Sequence, residues 1–239
     1  TGVTAVDTES DTAGVKLVAA DGRNIALGVD DASLTSAATG LNVSGGTLTS
    51  ANDSGTPPTY TTDQTADMSG YQVYKGSITL SSTKSMTIEQ GKNGTSDITR
   101  AGLSAGNYEA QKAVISTKQL DAGSNQKIAS GDFRINGILV GGSDVSGYDK
   151  SSIPVSQAMN SAIAKAAAVN AVSQLTGVTA TANTTLVNGA AMTAQAAGSP
   201  KTGILNINGV NTSDIVLNDD NSKNRAAVVK AINAVSGQT

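Results

Sequence analysis

Apolar and polar positions along this chain follow two different periods. Around Phe133-Arg134-Ile135 and Leu205-Asn206-Ile207 the period is two, as expected of half-buried strands. Each is followed by a loop and then by a stretch of helical period. Val155, Met159, Ile163, Ala166 and Val169 are spaced by three and four residues, which predicts a helix over Ser156–Val172 with these side chains on one face. Val228, Ile232 and Val235 predict a second helix, with Arg225 and Lys230 turned to water. Its start is marked by Asp219-Asp220-Asn221-Ser222, residues that cap helix N-termini well. Gly177 and Gly237 fall just after the two helices, where a left-handed backbone is easiest for glycine.

The first half predicts strands. Val15–Val18 and Ile25–Leu27 flank Asp21-Gly22, a hairpin signature. A second hairpin is predicted from Tyr71–Leu80 and Ser85–Ile88 across Ser81–Lys84. Ala51–Gly70, rich in Thr, Ser, Asp and Pro, predicts a long surface loop. Within Leu103–Lys127 the expectation is a short helix at Tyr108–Ala113 and a strand near Val114–Ile115. The predicted fold class is α+β, mostly β, in two modules: a β-rich one over 1–130 and one over 131–239 built from two strand-helix-strand units.

Those two units are copies. The first runs Phe133-Arg134-Ile135-Asn136-Gly137-Ile138, a loop, and a helix ending Val169-Asn170-Ala171-Val172-Ser173, then Thr176-Gly177-Val178-Thr179-Ala180. The second runs Leu205-Asn206-Ile207-Asn208-Gly209-Val210, a loop, and a helix ending Ile232-Asn233-Ala234-Val235-Ser236. Its Thr-Gly-Val-Thr-Ala element has its twin at Thr1–Ala5, so those residues are expected to pack with the second module, as in a fragment cut between repeated units.

Composition narrows the chemistry. The 239 residues contain no Cys, His or Trp, one Phe and five Tyr. Without His or Cys, the usual neutral-pH acid–base and thiol routes are closed, as are the commonest metal ligands. Carboxylates, hydroxyls and amines remain, enough for a glycosidase-like pair or an oxygen-ligated cation. Aromatics make up 3% and much of the apolar content is Ala, so each buried side chain contributes little area and thin, elongated modules are expected. The net charge is −3, with no basic cluster for nucleic acid. No run approaches the roughly 18 apolar residues of a membrane span.

The candidate motifs have plainer explanations. Gly141–Gly147 lacks the Lys-Ser/Thr ending of a phosphate loop, and Gly91-Lys92-Asn93-Gly94-Thr95 lacks its spacing. Asp30-Asp31 and Asp219-Asp220 lack the spacing and closing Glu of a calcium loop, and capping explains the second pair. Asn-x-Ser/Thr triplets at Asn42, Asn52, Asn93, Asn183 and Asn211 are expected by chance in so polar a chain. The Ala-rich face Ala162–Ala168 lets a helix lie close on a sheet. The expectation is therefore no catalytic residue, no cofactor and no metal.

Ile135-Asn136-Gly137, Ile207-Asn208-Gly209, Ala227–Ala234 and Thr176–Ala180 together resemble the IN motif of bacterial flagellins and flagellar hook-associated proteins. The first copy departs from it, with Val169-Asn170 where the second has Ile232-Asn233. The resemblance implies a central, variable outer domain of flagellin (D2/D3-type), extracellular on the flagellar filament, structural rather than enzymatic, serving motility and presenting antigenic surface. Its implied partners are neighbouring flagellin subunits and host antibodies, with no nucleic acid or membrane. Exposed Ser and Thr of Ala51–Gly70 are the implied places for O-glycans. The long helices that polymerise flagellins are not in this sequence, so the isolated chain is expected to be monomeric. A projecting domain leaves and returns on one side, so Thr1 and Thr239 are expected to lie together. A hook-associated or cap protein shares the motif. A surface adhesin shares the Thr/Ser/Gly-rich composition, and a glycosidase would need two convergent carboxylates about 5–10 Å apart.

Overall fold

The computed structural model describes residues 2–29, 34–43, 72–91, 97–110, 114–117, 127–152 and 158–239. The fold is α+β and mostly β, with short antiparallel strands in several small sheets. The chain begins with β1 (Val3–Asp7), β2 (Val15–Ala19), β3 (Ile25–Val29), a one-turn helix α1 (Ser36–Thr39) and β4 (Gln72–Tyr74). There follow β5 (Ile78–Ser82), β6 (Met86–Gln90), a 3₁₀ turn at Asp97–Ala101, β7 (Gly106–Tyr108), β8 (Val114–Ser116), β9 (Phe133–Ile135) and β10 (Ile138–Leu139). Next come α2 (Ala162–Asn170), α3 (Ser173–Thr176), β11 (Val178–Ala182), β12 (Thr185–Val187) and β13 (Lys201–Gly203). The last are β14 (Leu205–Ile207), β15 (Val210–Asn211), β16 (Ile215–Leu217) and α4 (Asn221–Val235).

These elements form two compact units. Unit 1 comprises Thr1–Ala20, Ile25–Tyr74 and Leu186–Thr239, and unit 2 comprises Asp21–Asn24 and Lys75–Thr185. The division is not at residue 130: one unit interrupts the sequence of the other. Unit 1 holds a sheet β1-β2-β12 and a sheet β15-β14-β3-β4, and unit 2 holds β11-β5-β8 and β10-β9-β6-β7. Every strand of one pair of sheets has a counterpart in the other. β11 pairs with β5 over five residues, Val178↔Ser82 to Ala182↔Ile78, as β1 pairs with β2 from Val3↔Ala19 to Asp7↔Val15. β9 lies between β6 and β10 as β14 lies between β3 and β15. α2 packs on β11 as α4 packs on β1. Beyond the added β13-β16 sheet and α1 of unit 1, what differs is the order along the chain. Unit 2 ends with the strand that begins unit 1, so the two are circular permutations of one fold.

Each unit has its own core. In unit 1, Val3, Leu17, Leu27 and Ile207 of the sheets meet Val228 and Ile232 of α4. In unit 2, Leu80, Ile88, Ile135 and the single Phe133 meet Ala162, Ala166 and Val169 of α2. The alternation at Phe133/Ile135 and Leu205/Ile207 does point inward, since all four side chains are buried. Val-, Leu- and Ile-sized groups supply most of the buried area, each stabilising by about 1.5–3 kcal/mol when fully buried.

Several local expectations are corrected. The pairs β2/β3 and β5/β6 are not hairpins, because in each pair the strands belong to different sheets. The chain turns a corner there and leaves β3 buried along its whole length. The hairpins proper are β1–β2 and the Asn-Gly turns of β9–β10 and β14–β15. Tyr108 ends a strand, not a helix, whereas the strand near Val114–Ile115 is present. α2 begins at Ala162, where the Ser161 hydroxyl accepts from the Ala164 N–H and caps it. Ile163 is half-buried, whereas Lys165 on the same helix is buried. Gly177 has the expected left-handed backbone, but α4 ends on Ser236 in a right-handed one, so Gly237 is not its cap. Ala51–Gly70 lies outside the described residues.

The Asn residues of the repeat bind backbone. At the end of α2, the Asn170 Oδ1 accepts from the Ala180 N–H at 2.8 Å and its Nδ2 donates to the Ala180 carbonyl at 2.9 Å. At the end of α4, Asn233 does the same to Ala5, at 2.8 and 3.0 Å. An edge strand is thereby closed on its open side by one side chain. The turn asparagines repeat the device. Asn208 Oδ1 accepts from the Ala26 N–H at 2.7 Å and Asn136 Oδ1 from the Thr87 N–H at 2.8 Å, both with φ of 50°. Gly209 and Gly137 follow with positive φ, as a primed hairpin turn requires. Beside Asn233, the Val3 N–H donates to Thr239 Oγ1 at 2.8 Å, which brings the start of β1 to Thr239; Thr1 itself lies outside the described residues.

Asn233→Ala should lower the stability of unit 1 by about 1–3 kcal/mol, the range for two such bonds. In hydrogen exchange it should unprotect the Ala5 amide and leave Ala180 protected, and Asn170→Ala should do the reverse. Equal loss at both amides from either variant alone would contradict two separate clamps.

Candidate functional site

Charged side chains gather in one place in each unit. In unit 1 an open depression of about 630 Å³ lies at the head of α4, lined by Asp11, Asp219, Asp220, Lys223 and Arg225 among others. Its geometry follows from helix capping. Asp220 Oδ1 accepts from the Ser222 and Lys223 N–H groups at 3.0 and 3.2 Å. Asn224, one turn in, accepts from the Asn218 N–H at 2.8 Å and donates to the Asn218 carbonyl at 2.9 Å. Arg225, expected to face water, is 6% exposed. Its Nε meets Asp7 Oδ1 at 2.8 Å, and its Nη1 pairs with Asp11. The guanidinium therefore ties the end of β1 and the β1–β2 loop to α4. A long side chain with a rigid fork reaches two carboxylates at once, which the helical period alone does not reveal.

The electrostatics point away from acid–base work. Asp11 is held below the usual carboxylate range by a hydrogen bond from Asn221 and then by Arg225. Asp220 is lowered by the Lys223 backbone N–H and then by the Lys223 side chain. Burial opposes the charge of Arg225, but its bonds to Asp11 and Asp7 outweigh this and push its pKa up. A glycosidase acid needs a raised carboxyl pKa, the opposite of what these contacts produce. Asp7 and Asp11 do converge, but on one cation.

The second gathering is buried in unit 2. Lys75 and Lys165 are 1% and 2% exposed, and Asn24, Ser152, Asn160, Ser161 and Thr185 are buried as well. The Asn24 N–H donates to Ser152 Oγ at 2.9 Å. Asp149 Oδ1 accepts from Ser151 N, Ser151 Oγ and Ser152 N at 2.8–3.1 Å. Burial raises the Asp149 pKa, but hydrogen bonds from Ser152, Ser161 and Ser151 win and leave it lowered. Among the described residues, Lys165 Nζ has no hydrogen-bond partner.

No family model, curated protein or solved structure matches this chain.

The remaining sequence candidates are spread out. In Gly141–Gly147 the donors and acceptors are used internally. Ser143 Oγ accepts from the Ile128 N–H and donates to the Met159 carbonyl, and Asp144 pairs with Lys127 at 3.1 Å. Gly91 N donates to the Asp132 carbonyl, and residues 92–96 lie outside the described residues. Asp30 and Asp31 lie outside them too, as do Asn52 and Asn93. Asn42 is exposed, Asn183 bonds Ser77 and Thr79, and Asn211 accepts from Asn206 Nδ2. Among the described residues, no three His, Cys, Asp or Glu side chains are placed to hold a metal ion. No helix among them is long and apolar enough to cross a membrane.

Because the folded state lowers the Asp11 pKa, the pairing adds stability above the unfolded value of 3.8 and loses it as pH falls through the folded value. Arg225→Met should lower the melting temperature of unit 1 at pH 7, and by less at a pH below 3.8 low enough to protonate the Asp11 carboxyl. Thermal melts of both proteins at the two pH values check this.

Proposed function

We propose that this chain is a surface-facing outer portion of a bacterial flagellin, a structural part of the filament with no catalytic step. The observation that carries the proposal is the repeat. Its Ile-Asn elements resemble the flagellin motif in sequence, and each asparagine of one copy has a counterpart doing the same job in the other: Asn136 with Asn208, and Asn170 with Asn233. A motif kept for closing strand edges suits a wall of folded modules better than a reaction centre. The partners on this reading are neighbouring subunits of the filament and host antibodies. The location is the bacterial exterior.

Antibodies raised against this chain should decorate flagella along their length in immunogold micrographs of the source cells. Label confined to the hook or the filament tip would move the assignment to a hook-associated or cap protein. Label on the cell body alone would favour a surface adhesin and overturn the filament reading.

A further inference from the structure

In unit 2 the sequence places a cation where the fold offers it nothing to bind. Lys165 stands on α2 between Ala164 and Ala166, both buried, and is itself 2% exposed. Among the described residues its Nζ finds no hydrogen-bond acceptor. α2 packs against β11 and β5, Val-Thr-Ala-Thr-Ala and Ile-Thr-Leu-Ser-Ser, neither of which carries an ionisable side chain. From the segment leading into β5 comes Lys75, a like charge. Asp149, in the loop ahead of α2, offers its Oδ1 to Ser151 and Ser152, and its buried Oδ2 makes no hydrogen bond to Lys165. An ammonium group in such a place loses its hydration and gains no counter-ion, so the uncharged amine is the form that fits.

We propose that Lys165, set against Lys75 beneath α2, makes unit 2 a proton-sensitive module: the compact unit holds Lys165 as the neutral amine, and acidification loosens the seat of α2. Burial, with a smaller contribution from the Lys75 charge, pushes the Lys165 amine down to about 7 from 10.5. Burial lowers Lys75 as well. The sign follows from proton counting. Between about 7 and 10.5 the unfolded state binds a proton that the folded state does not, so stability rises with pH across that window. Below about 7 both states bind it, and the full penalty of a buried charge remains. Unit 1 has no counterpart: the four residues that follow Asn224 on α4 are Arg225, held by two carboxylates, then Ala226, Ala227 and Val228.

The test uses the whole chain. In ¹³C-lysine-labelled protein, one Cε resonance should titrate with a midpoint near 7, and it should be absent from Lys165→Met. Hydrogen-exchange protection factors of α2 amides, corrected for intrinsic rates, should rise by up to about tenfold per pH unit above 7. In Lys165→Met they should rise less steeply with pH than in wild type, Lys75 alone still titrating, and be higher than wild type at pH 6. A full set of lysine resonances with no midpoint below 9 would overturn the proposal. So would wild-type α2 protection that is independent of pH. The resonance titration needs no substitution, so it decides the matter even if Lys165→Met folds poorly.

Discussion

The structure depends on one side-chain interaction, an asparagine amide closing the open edge of a strand. A strand at a sheet edge leaves N–H and C=O groups unpaired, and a carboxamide carries an acceptor and a donor on separate atoms that can satisfy one of each. At Ala5 and Ala180 this group comes from the final turns of α4 and α2. The helix is then located by direct bonds to the sheet as well as by its apolar face. That matters because the face is thin. On α2 the buried groups are mostly methyls, which give little area with which to fix an angle or a register. Polar bonding supplies the specificity that a core of small residues cannot.

The same economy explains the charged cluster in unit 1. Asp7 and Asp11 would repel each other, and Arg225 would be costly to bury alone. Together they join β1, the following loop and α4. The depression beside them is the space left over by helix capping and ion pairing. In unit 2 the buried charges are Lys75, Asp132 and Lys165 among hydroxyls, and Lys165 makes no hydrogen bond among the described residues. Two copies of one fold thus differ most in how they treat buried charge.

Much of this was legible in the sequence, and what was not has physical causes. The strands at Phe133 and Leu205, the long second helix and its Asp220 cap follow from local pattern alone, because side-chain period and capping are local chemistry. The packing of β1 on the last helix was legible because Thr-Gly-Val-Thr-Ala occurs twice. The corners at β2/β3 and β5/β6 were not, since Asp-Gly serves a hairpin and a change of sheet equally well. Arg225 and Lys165 were also hidden. Periodicity assigns long cationic side chains to solvent, and only tertiary placement shows Arg225 gripped by residues more than two hundred positions away. The division into units was missed for the same reason: one unit is assembled from segments far apart in sequence.

The circular permutation also sets an order of events. In unit 2 the strand clamped by Asn170 lies ten residues further along the chain, and the loop to be closed is short. In unit 1 the strand clamped by Asn233 lies 228 residues earlier. Closing the longer loop costs more entropy, and contacts of long sequence separation form slowly. A chain emerging from its N-terminus can complete unit 2 while unit 1 still lacks its helix. Until α4 is made, β1 keeps an exposed edge and the pocket for Val3 lacks a wall. The two units share a fold, but the chain builds one from neighbours and the other only at its end.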